Sequence, residues 1–224
     1  MKYLLTALML LFVHFLFAQP FTYPVFKSSG KTINDYIPAR WLLRDSAGGD
    51  LNGDGNRDMA LVIEYKDTIP EMRPDKYENM GSPRVLLILF KNAATGNYDL
   101  VLQNNTFIMR HGEGGMSPEP YNKISITGKV LDISFEFVRG SADYKFRFQQ
   151  NDFYLIGASN NGVSGETEDD WDFNFSTKKA KHAWGKADSN KLKEKWVVVP
   201  ITTLKKLKDM QMTFQWQVLP NVYL

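Results

Sequence analysis

The sequence contains no cysteine. That excludes disulfides, thiolate metal centres, a cysteine nucleophile and an acylated lipoprotein cysteine. Histidine is also scarce: there are three, and His14 falls in an N-terminal leader, which leaves His111 and His182. No Gly-x-Ser-x-Gly elbow surrounds any serine, so a triad of that kind is not signalled. Neither sign of charge prevails; the formal net charge is +2, which argues against nucleic acid as the main partner. No internal repeat is present. Beyond the first eighteen residues no apolar run is long enough to span a bilayer, so no transmembrane segment is expected in the mature chain.

What is there begins with export. One positive charge at Lys2, an apolar stretch from Leu4 and a small residue at Ala18 predict a secretory signal peptide over residues 1–18, cleaved before Gln19. The mature protein is then periplasmic or secreted. Residues 19–224 suffice for a single domain with a substantial core. Without disulfides, that domain depends on its core, helped by an ion if one is bound.

The most informative stretch is Gly49-Asp50-Leu51-Asn52-Gly53-Asp54-Gly55-Asn56-Arg57-Asp58. Oxygen-bearing side chains at Asp50, Asn52, Asp54 and Asp58 alternate with residues that cannot ligate, the way a short loop surrounds a hard cation. With Asp50 as position one, Asn52 and Asp54 are positions three and five. Gly55 is at the sharp turn, Asn56 offers its backbone carbonyl at seven, and Asp58 offers a carboxylate at nine. An EF-hand needs a bidentate Glu at twelve, and Leu61 stands there. The flank is an apolar run, Met59 to Tyr65, which reads as a strand and not an exiting helix. The bland alternative is a metal-free Asx-rich turn.

This loop and strand resemble the FG-GAP (VCBS-like) calcium loop of integrin-type propellers. The resemblance implies calcium as cofactor, with Asp50, Asn52, Asp54 and Asp58 as side-chain ligands and Asn56 as a main-chain one. Only one copy exists, so a propeller ring cannot close. Tyr144 to Gly157 is similar to the "FRYQ…LIG" hairpin of uncharacterised exported bacterial proteins that carry one such loop, a likeness that implies no catalytic residue.

The remaining chain reads as mostly β: an antiparallel sandwich or strongly bent sheet in one domain with one short helix, not a propeller. Val85 to Phe90 is apolar without alternation, as in a strand covered on both faces. Tyr98 to Gln103 returns beside it after the Asn92–Asn97 turn. Ile133, Phe135 and Phe137 alternate with polar residues, as do Tyr144, Phe146 and Phe148, with a turn expected at Gly140–Asp143. Phe153–Gly157, Trp171–Phe175, Trp196–Val199 and Met212–Val218 suggest further strands, and Thr203 to Met210 a short helix capped by Thr202 or Thr203. The segment Asp67–Pro83 is a surface excursion or lid.

Three weaker candidates remain. His111 and Glu113, in the loop Arg110 to Met116, can serve as acid and base or as metal ligands, or stand in a loop whose glycines merely turn the chain. The acidic stretch 166–172 (Glu166, Glu168, Asp169, Asp170, Asp172) can bind a second cation, steer a basic partner or simply face water. The lysine-rich stretch 178–195, with Trp184 and Trp196, can stack sugars or bases, or can be a solvated connection whose tryptophans anchor in the core. The functional expectation is an exported binding domain for a protein or glycan partner, without catalysis. The alternative is an envelope-polymer hydrolase using His111 and Glu113.

Overall fold

The two unbroken apolar runs become the centre of a five-stranded sheet buried on both faces. In the computed structural model, which describes residues 21–189 and 191–224, the chain opens with β1 (Ser29–Gly30), a 3-10 turn at Ile33–Tyr36, β2 (Trp41–Gly49) and β3 (Asp58–Tyr65). The small hairpin β4 (Ile69–Met72) and β5 (Glu78–Gly81) follows, then β6 (Arg84–Lys91) and β7 (Tyr98–Asn104). The antiparallel order is β1-β7-β6-β3-β2. Residues alternate along β3 and β6, so Leu61, Ile63, Val85, Leu87 and Leu89 face one way and Ala60, Val62, Leu86 and Ile88 the other, all fully buried. The first set packs under Phe21, Tyr23, Phe26 and Tyr36 of the N-terminal segment, which covers that face.

The second set meets a seven-stranded antiparallel sheet. It is built from β8 (Tyr121–Thr127), β9 (Val130–Phe137), β10 (Gly140–Gln149), β11 (Asp152–Ser164), β12 (Thr167–Asn174), β13 (Lys179–Lys186) and β14 (Lys193–Val198), in sequence order across the sheet. The alternating residues do what alternation dictates. Leu131, Ile133, Phe135, Tyr144, Phe146, Phe153, Leu155 and Phe173 join Val62 and Ile88 in one shared core, and Phe90 meets Phe148 edge to face across the sheets at 4.9 Å. The protein is therefore a mostly β sandwich, as expected, and the described residues form neither a closed barrel nor propeller blades. The C-terminal segment, with β15 (Gln217–Leu219) and β16 (Val222–Tyr223), brings Leu207, Met210, Val218 and Leu224 onto the same inner face.

One side of the sandwich is closed by Asp45. It sits at an irregularity in β2 where the register skips Arg44. One carboxylate oxygen accepts the Tyr121 hydroxyl at 2.8 Å and the Ile124 N–H at 3.1 Å, joining β2 to β8. Burial, with Asp45 beside it, pushes the Tyr121 phenol well above its ordinary range.

Four local readings change. The strand expected over Met212–Val218 is confined to Gln217–Leu219, with Met212–Trp216 running as bends and turns. The helix expected over Thr203–Met210 is only a 3-10 turn at Leu207–Asp209, because Lys206 is extended and bridges Tyr154 while the Lys205 carbonyl accepts Leu155 N–H. The β9–β10 turn is at Val138–Arg139, not Gly140–Asp143, since Phe137 pairs with Gly140. The lysine-rich connection is itself the strand pair β13–β14. Among the described residues no helix is long and apolar enough to cross a membrane. The predicted signal peptide and its cleavage site before Gln19 lie outside the described residues.

Candidate metal centre and binding face

The Asp50–Asp58 loop links β2 to β3, and its side chains hold its own backbone. Asp50 accepts Gly53 N–H at 2.6 Å through one oxygen and Gly55 N–H at 3.1 Å through the other. Asn52 Oδ1 accepts Asp54 N–H at 2.9 Å, and Asp54 Oδ1 accepts Asn56 N–H at 2.8 Å. The Asn52 amide also donates to Asp54 Oδ2 at 3.0 Å. These bonds hold the Asp54 carboxyl below its ordinary value, the one from Asn56 N–H most of all. Gly53 and Gly55 have φ of 87° and 82°, left-handed conformations that favour glycine at the tight turns.

Asp58 lies on the inner side. It is fully buried; Oδ2 accepts Leu51 N–H at 2.8 Å and Asn52 N–H at 3.4 Å, and Oδ1 accepts Lys91 N–H at 2.9 Å. Burial pushes its carboxyl up against those three hydrogen bonds. The fold thus gathers Asp50, Asn52, Asp54 and Asn56 into one turn and sets Asp58 behind them. Among the described residues no three His, Cys, Asp or Glu side chains converge as a metal-holding group. A calcium loop of this spacing also draws on amide and backbone carbonyl oxygens, here those of Asn52 and Asn56; every carboxylate oxygen of Asp50 and Asp54 accepts a hydrogen bond from within the loop.

The second candidate separates. Glu113 points inward, 3% exposed, and takes Arg73 Nε at 2.6 Å and Arg110 N–H at 2.7 Å. Arg73 in turn donates to the Thr106 carbonyl at 2.9 Å, and Arg110 to Glu71 and Tyr23. His111 is exposed on the same turn. Both Glu113 oxygens are committed to neighbouring donors, so its chemistry here is to clamp the loop to the β4–β5 hairpin. Glu113→Gln should accordingly lower stability by about 2–3 kcal/mol, since it leaves the nearly buried Arg73 without its counter-charge. Chemical denaturation checks this.

The acidic and basic stretches form neighbouring strands. On the inner side, His182 stacks between Trp171 (3.9 Å) and Trp184 (4.6 Å), with Asp169 Oδ1 2.5 Å from its Nε2. Lys195 lies over Trp184 at 5.3 Å. His182 is therefore a packed member of an aromatic ladder. On the outer side, Trp196 stands 71% exposed on the edge strand β14, beside Asp172 and Lys181 in one cross-strand row. Sequence reading singled out Trp196 and, within the lysine-rich stretch, Lys179, but missed their neighbours Lys145 and Arg147; exposed cations alternating with core aromatics were the available signal.

No protein-family model matches the chain, and comparison with curated proteins and with solved structures finds no match.

Proposed function

We propose that this protein is an exported β-sandwich, stabilised by calcium in the Asp50–Asp58 loop, that binds a glycan or protein partner on the outer face of its seven-stranded sheet and carries out no catalysis. The observation that carries the reading is Trp196: an indole 71% exposed on a sheet face that it shares with Lys145, Arg147, Asp172, Asn174, Lys179 and the exposed Val198. A large aromatic ring left in water on a rigid sheet is a ready-made stacking platform, apolar in body and polar at the N–H. Export rests on the leader at residues 1–18.

The calcium part rests on ligand spacing and on electrostatics. Asp50, Asp54 and Asp58 place three carboxylates within nine residues, and Asp54 adds to what raises the Asp58 carboxyl. A divalent cation held by Asp50, Asn52, Asp54, the Asn56 carbonyl and Asp58 would offset that repulsion and fix the start of β3. The FG-GAP-like reading of the loop belongs with this proposal.

Two measurements test it. At a calcium concentration about a hundredfold above the dissociation constant, linkage gives about 2.7 kcal/mol, so chelation should lower Tm by roughly 5–10 °C in a chain of this size. An unchanged Tm together with no calorimetric heat on titrating calcium would remove the ion. For binding, electrophoretic retardation in gels containing neutral and acidic polysaccharides should be seen for the protein and lost in Trp196→Ala. Equal mobility of the two proteins in every gel would overturn the glycan form of the reading.

A further inference from the structure

The outer face around Trp196 carries more chemical detail than a general binding surface. Two cross-strand rows lie side by side there. One runs Lys145 (β10), Gly157 (β11), Asn174 (β12), Lys179 (β13); the next includes Asp172 (β12), Lys181 (β13) and Trp196 (β14). All of these but Lys181, together with Arg147, line a groove of about 590 Å3. Lys145 and Lys179 are three strand spacings apart, about 14 Å, and between them the floor is low. Gly157 has no side chain; a Cβ there would meet the Phe173 carbonyl oxygen at 3.2 Å and the Lys145 Cβ at 3.9 Å. A long channel floored by glycine and asparagine and walled by an indole has room for a short run of sugar rings.

The charges decide which sugar. Asp132, 4.0 Å from Lys145, is a weak ion pair; among the described residues Arg147 and Lys179 have no ion-pair partner, and both are exposed. These cations are spread along the groove and do not converge on a point. A single phosphate or sulfate ester asks for convergent donors, whereas a polymer with one negative charge per residue matches dispersed ones. Asp172 sits among them: its carboxylate repels any anionic group placed beside it, but it accepts hydrogen bonds from sugar hydroxyls, which a uronide ring offers and a deoxynucleotide backbone does not. The combination of free cations, an acceptor carboxylate, amide groups and one stacking ring suits hydroxyl-rich rings bearing carboxylates.

We propose that the groove bounded by Lys145, Arg147, Lys179 and Trp196 binds an acidic polysaccharide built of uronic acids. The inference rests on the reading of this sheet face as a glycan-binding surface and adds the ligand's charge. Trp196 stacks on a ring face, the guanidinium of Arg147 and the two ammonium groups pair with carboxylates along the chain, and Asp172 and Asn174 bond to hydroxyls.

The test is titration of the full mature protein, with calcium held constant, against short oligogalacturonides, against the same oligomers as neutral methyl esters, and against poly-glutamate and an oligothymidylate as anions without the sugar. The free-acid oligomers should bind with saturation and the esters about tenfold more weakly or not at all. Trp196→Ala should lose about tenfold or more, the size of one stacking contact. Arg147→Gln and Lys179→Gln should each weaken binding several-fold and flatten its salt dependence; all three side chains are solvent-exposed, and unchanged Tm values verify the fold. Equal binding of ester and acid would overturn the anionic assignment while leaving a neutral-glycan surface standing. Poly-glutamate or oligothymidylate binding as tightly as the free acid, indifferent to Trp196, would reduce the groove to charge attraction and overturn the proposal. If no oligomer here and no polysaccharide gel engages the protein, the ligand class and the glycan reading fall together.

Discussion

Arg84→Met is expected to lower the unfolding free energy at neutral pH by about 3–5 kcal/mol, the cost of removing one partner from a buried charge network. Arg84 is 1% exposed on β6. Its Nε donates to Glu64 at 2.6 Å, Nη1 to the Met109 carbonyl at 2.6 Å and to Glu119 Oε1 at 2.7 Å, and Nη2 to Glu119 Oε2 at 2.6 Å. One guanidinium thereby joins two central strands to the segment that leads into β8, and its fork fits the Glu119 carboxylate with two parallel bonds. Methionine fills comparable space but leaves the Glu64 and Glu119 carboxylates and the Met109 carbonyl short of donors; Arg44, 2.9 Å from Glu119, is too exposed to compensate. The pH dependence follows from Glu119. Burial alone would raise its carboxyl, but Arg84 and then Arg44 hold it below the ordinary value. A depressed folded-state pKa gives stability that is present above the unfolded value and lost as pH falls through the folded one. The gap between wild type and Arg84→Met should therefore be largest near neutrality and narrow in acid below about pH 4. Urea unfolding at several pH values measures it, and a gap under about 1 kcal/mol at pH 7 would show that desolvation had cancelled the network. Adding Glu119→Leu to Arg84→Met should recover part of the loss.

The central strands were legible in the sequence because burial on both faces leaves no choice of residue: Leu61 to Ile63 and Val85 to Leu89 are apolar at every position. The seven-stranded sheet was legible for the opposite reason, since one wet face enforces alternation in β9 and β10. What failed was local chemistry overruled by pairing. Gly140-Ser141-Ala142-Asp143 has turn composition, yet the strands pair down to Phe137 and Gly140 and leave Val138, a poor turn former, exposed at the bend. Thr203–Met210 carries helical spacing, but the edge of β11 before β12 begins needs a hydrogen-bonding neighbour, and Lys205 and Lys206 supply it. The loop's spacing was readable; the inward turn of Asp58 was not, because its partner Lys91 is 33 residues away. The outer groove was invisible for a related reason. Lys145, Arg147 and Lys179 are ordinary solvent-side residues of their strands, and only the register across four strands sets them in one place. Trp196 and Lys179 could be noticed within one lysine-rich stretch, but not their companions Lys145 and Arg147 from β10.

Asp58→Ala carries the second large expected effect: a loss of about 3 kcal/mol or more, hence a Tm lower by roughly 6–12 °C. The substitution leaves the N–H groups of Leu51, Asn52 and Lys91 without their acceptor, and each such group, where shut off from water, costs about 1–3 kcal/mol. It also releases the loop from β6, since the Lys91 bond is what ties its base to the end of that strand. These bonds do not involve an ion, so most of the drop should persist in chelator; a loss under about 1 kcal/mol there would refute the anchoring role. Calcium then separates the two duties of the residue. Keeping Asp58 charged while buried is costly, as its raised carboxyl shows, and a cation shared with Asp50 and Asp54 would reverse that cost. The increase in Tm on adding calcium should accordingly be smaller in Asp58→Ala than in wild type, and smaller again in Asp50→Ala/Asp54→Ala, which removes the loop's other two carboxylates but spares the anchor to β6. If the Asp50/Asp54 double variant keeps the full calcium-dependent increase, the ion is not held by this loop, and Asp58 is a structural anchor alone.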